Sequence, residues 1–225
     1  MKIFYSILIF ACLIPAISEA QNTSNKFYSV GTKAIRLSQM PKLLNQVNNF
    51  DYKTTYVDNI FFKVLDNQIN YRFSASYFDT NYTFKNQCNT CQEGDGSLKD
   101  LAFKFGFEKN VNYSVVQPYY GVDLGYKNNN FNGTIRDMNS ATPLQNAEII
   151  KNGLTISPVI GFKFNLNPNV LIFAESSFDF YYNYEQREIV DSSNGALILA
   201  NKFTRMEYLL NPVSAGIQIN FGNKN

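Results

Sequence analysis

Asp100-Leu101-Ala102-Phe103-Lys104-Phe105-Gly106-Phe107-Glu108 alternates without a break. Leu101, Phe103, Phe105 and Phe107 share one parity; Asp100, Ala102, Lys104, Gly106 and Glu108 share the other. Side chains on a β-strand point to opposite faces with period two, so this stretch is a strand with one apolar and one hydrophilic face. The dyad returns in segment after segment with charge on the polar side. A soluble β-protein turns the apolar face into a core, whereas a transmembrane barrel turns it to lipid and keeps polar residues inside. The two readings predict opposite burial for the same residues.

Outward from that stretch, strands are predicted at 27–36, 57–65, 68–79, 99–109, 113–127, 153–165, 169–185 and 205–221. Asp66-Asn67, Lys109-Asn110-Val111-Asn112 and Leu166-Asn167-Pro168 are tight turn signals. Between them lie longer connections at 37–56, 80–98, 128–152 and 186–204. Long and short connections alternate through the chain. An up-and-down outer-membrane barrel has this asymmetry, with short periplasmic turns and long external loops. An even strand number places both termini on the periplasmic side.

The apolar parity collects Tyr28, Val30, Ala34, Ile60, Phe62, Val64, Tyr71, Phe73, Tyr77, Tyr120, Leu124, Tyr126, Ile156, Ile160, Phe162, Phe180, Tyr182, Val213, Ile217, Ile219 and Phe221, among others. The opposite parity carries Lys33, Lys63, Arg72, Lys104 and Lys163 with Asp100, Glu108, Asp123, Glu175 and Asp179, interspersed with glycines. Equal numbers of bases and acids suit an enclosed space, where isolated charge is costly and paired charge is tolerated. An eight-stranded barrel is only wide enough for its own side chains. The expectation is a lumenal ion-pair network made of these ten residues and no open channel. Against the barrel stand Pro118, Pro158 and Pro212, which each remove a ladder donor; bulges or the membrane boundary are where they are expected.

At these residues the chain resembles the small eight-stranded outer-membrane barrels, of the OmpX and OmpA-transmembrane-domain type and the Bacteroidota outer-membrane β-barrel or PorT-like type. The resemblance covers about 27–221 and includes the closing strand Val213-Ser214-Ala215-Gly216-Ile217-Gln218-Ile219-Asn220-Phe221. In such proteins a terminal aromatic helps the assembly machinery recognise the last strand; here Phe221 is followed by Gly222-Asn223-Lys224-Asn225. The resemblance implies an all-β, antiparallel up-and-down transmembrane barrel in the bacterial outer membrane of a Gram-negative cell. Its partners would be outer-membrane lipid and other envelope proteins, with the barrel itself a monomer.

The first residues agree with export. Lys2, an apolar run from Ile3 to Ile14, and Ser18-Glu19-Ala20 describe a signal peptide cleaved after Ala20. Residues 1–20 are then the signal and 21–225 the barrel domain. Cys12 as a lipoprotein acceptor is the alternative, but it leaves a short apolar region. The net charge of +2 gives no hint of nucleic-acid binding.

With no histidine in the sequence, Ser-His-Asp, Cys-His and His-ligated metal centres are excluded. Glu175 and Asp179 stand ~13 Å apart along one strand, too far for paired carboxylate catalysis. No catalytic residue, cofactor or metal site is expected. Cys88-Asn89-Thr90-Cys91 in the second long connection reads as a disulfide candidate, because a redox motif needs a helix amino terminus. The expected role is non-enzymatic, structural or surface-interacting through the external loops. An accessory barrel of an envelope secretion or translocation system is the first alternative, and a soluble lipocalin-like lipid carrier the second.

Overall fold

The computed structural model describes residues 27–44, 51–66, 69–85, 92–137 and 145–221. The predicted signal peptide, Cys88, Cys91 and the tail after Phe221 lie outside these residues. Eight strands follow in chain order: β1 (Phe27–Gln39), β2 (Tyr52–Leu65), β3 (Asn70–Lys85), β4 (Gln92–Asn110), β5 (Val116–Asp137), β6 (Gln145–Asn165), β7 (Val170–Asp191) and β8 (Leu197–Phe221). Each pairs antiparallel with its sequence neighbour, and β1 pairs with β8 to close a barrel. Closure leaves no free sheet edge along that seam.

Burial decides the orientation. Phe103, Phe105, Phe107, Leu124, Ile156, Ile160, Phe162 and Ile217 are exposed, while Lys63, Arg72, Asp100, Glu108, Asp123 and Lys163 are buried. This is inside-out relative to a soluble protein, so the lipocalin-like alternative fails. It would need the apolar face inside. The belt has a clear upper edge. One rung runs Phe103, Tyr126, Leu154, Tyr182, Met206; four residues further along the strands the outer positions are Lys99, Asn130, Ile150, Gln186 and Lys202 on a rung of largely polar chemistry. Tyr77, Tyr126, Tyr182, Tyr184 and Tyr208 gather near that edge, as an interfacial aromatic girdle does.

The strands extend well beyond the predicted limits. Much of 80–98, 128–152 and 186–204 is strand, and β5 to β8 reach 21–25 residues, against about 9–11 for a membrane crossing. Above the girdle the parity of the faces is kept and their chemistry is reversed. Leu98, Phe131, Ile135, Ile149 and Ile189 point inward, and Lys99, Asn132, Arg136, Glu148 and Glu188 outward. The pattern read as loop is an apolar-in strand standing in water.

Met40, Leu43 and Leu44, from the β1–β2 connection, turn into the barrel and join this upper core with Phe78, Tyr82, Phe84, Phe131 and Ile149. Arg187 donates to the Leu44 carbonyl at 2.7 Å and Lys151 to that of Lys42 at 2.5 Å, while the Lys42 N–H donates to Glu207 at 2.9 Å. Met40–Leu44 is therefore a plug held by charged side chains from β6, β7 and β8.

The ladder is interrupted in β1 and between β2 and β3. The β1 register shifts between Lys33 and Ile35 against both neighbours. Among the described residues the β2–β3 ladder stops at Asn59–Ser76, although β2 continues to pair with β1 and β3 with β4. Beyond it, Lys53 Nζ reaches the Asn81 carbonyl at 3.3 Å and Tyr82 Oη donates to Asp51 at 2.8 Å. Side chains replace the backbone ladder there. The prolines sit where a missing donor is harmless. Pro212 lies beside the β7–β8 register shift, Pro158 in a gap of the β6–β7 ladder, and Pro118 beyond the last β4–β5 pair.

Candidate functional site: the ion-paired lumen

Inward parity on eight strands brings residues distant in sequence into one column. At the turn end, fully buried Glu108 (β4) faces Lys63 (2.9 Å), Lys163 (2.5 Å) and Arg72 (3.3 Å). Asn70 also donates to it, at 3.4 Å. Lys63 and Lys163 lie over aromatic faces as well, Phe61 at 4.9 Å and Tyr119 at 4.7 Å, a second attraction for a desolvated ammonium.

Arg72 links this group to the next one. Its guanidinium donates to both oxygens of Glu175, at 3.1 and 3.3 Å, and pairs with Asp123 at 3.1 Å. A planar fork of donors suits such bidentate pairing. Glu175 also takes Lys33 at 2.7 Å and the Tyr119 hydroxyl at 2.7 Å. Gly161 makes room for that ring, since a Cβ there would stand 2.7 Å from the Tyr119 hydroxyl oxygen.

Of the ten residues predicted for the lumen, seven thus form one connected group: Lys33, Lys63, Arg72, Glu108, Asp123, Lys163 and Glu175. Lys104 and Asp179 form a separate pair at 2.7 Å, with Ser157 2.8 Å from the ammonium. Asp100 joins neither group. It pairs with Lys127 at 3.1 Å and accepts from Asn129.

Lys127, Lys151, Glu185, Arg187 and Glu207 escaped the sequence reading: Lys151 and Arg187 fall in stretches assigned to connections, and the other three at or near the upper ends of predicted strands. Lys151 pairs with Glu185 at 3.3 Å and with Glu207, and Arg187 with Glu185. Tyr119 and Tyr181 were missed too, although each shares the parity of a predicted lumenal acid, Asp123 and Asp179. Tyr181 Oη lies between the carbonyls of Lys127 (3.2 Å) and Lys151 (3.1 Å). Reading the inward parity along each full strand finds six of the seven, while Glu207 is turned inward only by the β8 register shift beside Pro212.

Burying ions costs several kcal/mol each, and pairs recover that cost only when geometry and extra hydrogen bonds are good. Asp100, Glu108, Asp123, Glu175 and Asp179 each contact a cation. Glu175 and Asp179 belong to different ion-pair groups. Among the described residues no cluster of His, Cys, Asp and Glu is arranged to hold a metal ion. A cavity of about 20 Å³ remains, bordered by Lys33, Arg72, Lys104, Asp123 and Glu175. That is room for one water.

No protein-family model and no curated protein matches the sequence. Among solved structures, the chain is similar to a major outer membrane protein from Thermus thermophilus, at a TM-score of 0.51 and 11% identity over 87% of this chain and 99% of that one. Neisserial surface protein A gives 0.49 and 12% over 89% and 100%, and OprG from Pseudomonas aeruginosa 0.48 and 15% over 90% and 98%. The fold is that of the small eight-stranded outer-membrane β-barrels.

Proposed function

We propose that the chain is a non-enzymatic protein of the bacterial outer membrane, a monomeric barrel whose work is done on its outer surfaces and external rim. The observation that carries this reading is the filled lumen: ion pairs within the belt, and above them an apolar core closed by the β1–β2 plug. A lumen filled in this way leaves the lipid face and the loop end as the surfaces open to other molecules. The strands rise beyond the girdle and hold that end rigidly above the membrane, which suits a surface contact or docking to another envelope protein. Export by a signal peptide cleaved after Ala20 fits this location.

Planar-bilayer recording with the purified barrel tests the reading. Absence of steady conductance is expected, whereas an ohmic pore that persists across preparations overturns it. Charge reversal at exposed Arg136 and Lys85 is expected to weaken cell-surface or envelope-protein binding while leaving the barrel folded.

A further inference from the structure

We propose that the β4–β5 and β6–β7 turns sink into the head-group layer of the periplasmic leaflet, where phospholipid covers them, instead of standing in the periplasm. This rests on the membrane reading above and adds a lipid contact beyond the strand wall.

Four apolar side chains crowd these two turns: Val111, Tyr113, Val115 and Leu166 are 63–71% exposed. The third turn at this end of the barrel carries Asp66 and Asn67 instead. A grouped apolar patch marks an interaction surface, and its position continues the lipid-facing belt. From Tyr126 down to Val116 the outer face of β5 runs ~34 Å along the strand, or ~26 Å along the barrel axis at a tilt of about 40°. The apolar band of an outer-membrane barrel is about 25 Å tall, so its lower edge falls at Val116. Val116 pairs with Phe164, and Leu166 continues the outward parity of β6 one pleat further. The Val111 N–H donates to the Pro118 carbonyl at 2.8 Å, which sets Val111 on the rung of Pro118 and Phe162, inside that edge. The turn tips thus straddle the boundary between acyl chains and head groups.

Backbone immersed in lipid must satisfy its own polar groups, and the β6–β7 turn does so. Leu166 and Asn167 donate to the Val170 carbonyl at 3.1 and 3.2 Å, and the N–H groups of Asn169 and Val170 to Asn167 Oδ1 at 2.9 and 2.8 Å. Pro168 has no N–H to place. Asn165 ties the two turns together: its N–H donates to the Val115 carbonyl at 3.0 Å and its side-chain amide to the Ser114 carbonyl at 3.3 Å. The Ser114 N–H donates in turn to Asn112 Oδ1 at 3.4 Å. With every donor from Asn165 to Val170 taken, an added periplasmic strand finds no N–H there to pair with, whereas apolar contact with lipid needs none. Lys109 stands exposed on the outer face between Phe107 and Val111. A lysine at that place lays its stem along the apolar surface and carries its ammonium to the lipid phosphates.

The chain contains no tryptophan, so single reporters are clean. Tyr113→Trp places one at the turn tips and Ile160→Trp one on the belt. The full barrel is reconstituted in phosphatidylcholine vesicles whose lipid carries bromine either near the head group or at mid-chain. Tyr113→Trp is expected to be quenched more strongly by the head-group position and shielded from iodide in the water, and Ile160→Trp to be quenched more strongly at mid-chain. Adding Val111→Asp with Leu166→Asp is expected to move the Tyr113→Trp response from bromine to iodide while Ile160→Trp, in the same background, keeps its bromine quenching and so reports an intact, inserted barrel. Tyr113→Trp quenched by iodide and untouched by brominated lipid, with Ile160→Trp still responding to lipid, overturns the contact. So does a Tyr113→Trp response that the two aspartates leave unchanged. Absence of bromine quenching at both reporters overturns the membrane reading itself.

Discussion

Glu108 holds two lysines and an arginine around one fully buried carboxylate. Glu108→Gln keeps the shape and removes the charge, leaving these cations without their common counter-ion. Breaking a buried pair from one side costs about 3–5 kcal/mol, so urea unfolding from lipid vesicles is expected to shift by that amount; a loss under ~1 kcal/mol would show the cations re-pairing elsewhere. Asp191, above the girdle at the β7–β8 turn, accepts from Ser193 Oγ at 2.7 Å and the Ser193 N–H at 2.8 Å. These two bonds, the hydroxyl first, hold its carboxyl below the ordinary carboxylate range. The stabilisation they lend is present above that range and lost as pH falls through the lowered value. Ser193→Ala is expected to raise the Asp191 titration midpoint in an NMR pH series, and an unmoved midpoint contradicts the assignment.

A strand in this barrel has two halves with opposite chemistry on the same faces. On β4 the outward parity reads Phe107, Phe105, Phe103 within the belt and Lys99 beyond it, while the inward parity changes from Glu108 and Lys104 to Leu98. The switch follows from the solvent on the outer face, lipid below and water above. Phe105→Lys, in the middle of the belt, is accordingly expected to destabilise by about 2–4 kcal/mol, as a cation near the bilayer midplane does. Asn132→Lys, on the outer face above the girdle, is expected to stay within about 0.5 kcal/mol. Similar costs at both positions would move the membrane boundary from where the girdle puts it.

The molecule as a whole has two differently built interiors. Within the belt, ion pairs fill the lumen; above it, Phe131, Ile149, Leu98 and the inserted Met40–Leu44 segment make an apolar core that packs beside the Lys151–Glu185–Arg187 ion pairs. Burial relative to lipid gains little for apolar side chains, so hydrophobic collapse can drive only the upper part. Ring closure ties the two parts together. The unboiled protein is therefore expected to migrate faster than the boiled protein in detergent gels, and identical mobilities would contradict a closed barrel.

The period-two alternation at Asp100–Glu108 and its repeats, with the alternation of short and long connections, determined the strand number and the up-and-down order and put ten of the lumenal charges on the inward parity, because side-chain parity is a local property of an extended chain. The same rule held above the girdle, but there it could not be read from polarity: lipid no longer selected the outer face, and stretches such as 128–152 lost the pattern that marks a membrane strand. Only the closed structure decided that Glu108 meets Lys63 and Lys163 while Asp100 meets Lys127, and that Met40, Leu43 and Leu44 fold inward. Those pairings depend on the stagger between neighbouring strands and on the width of the ring, neither of which is written in any single segment.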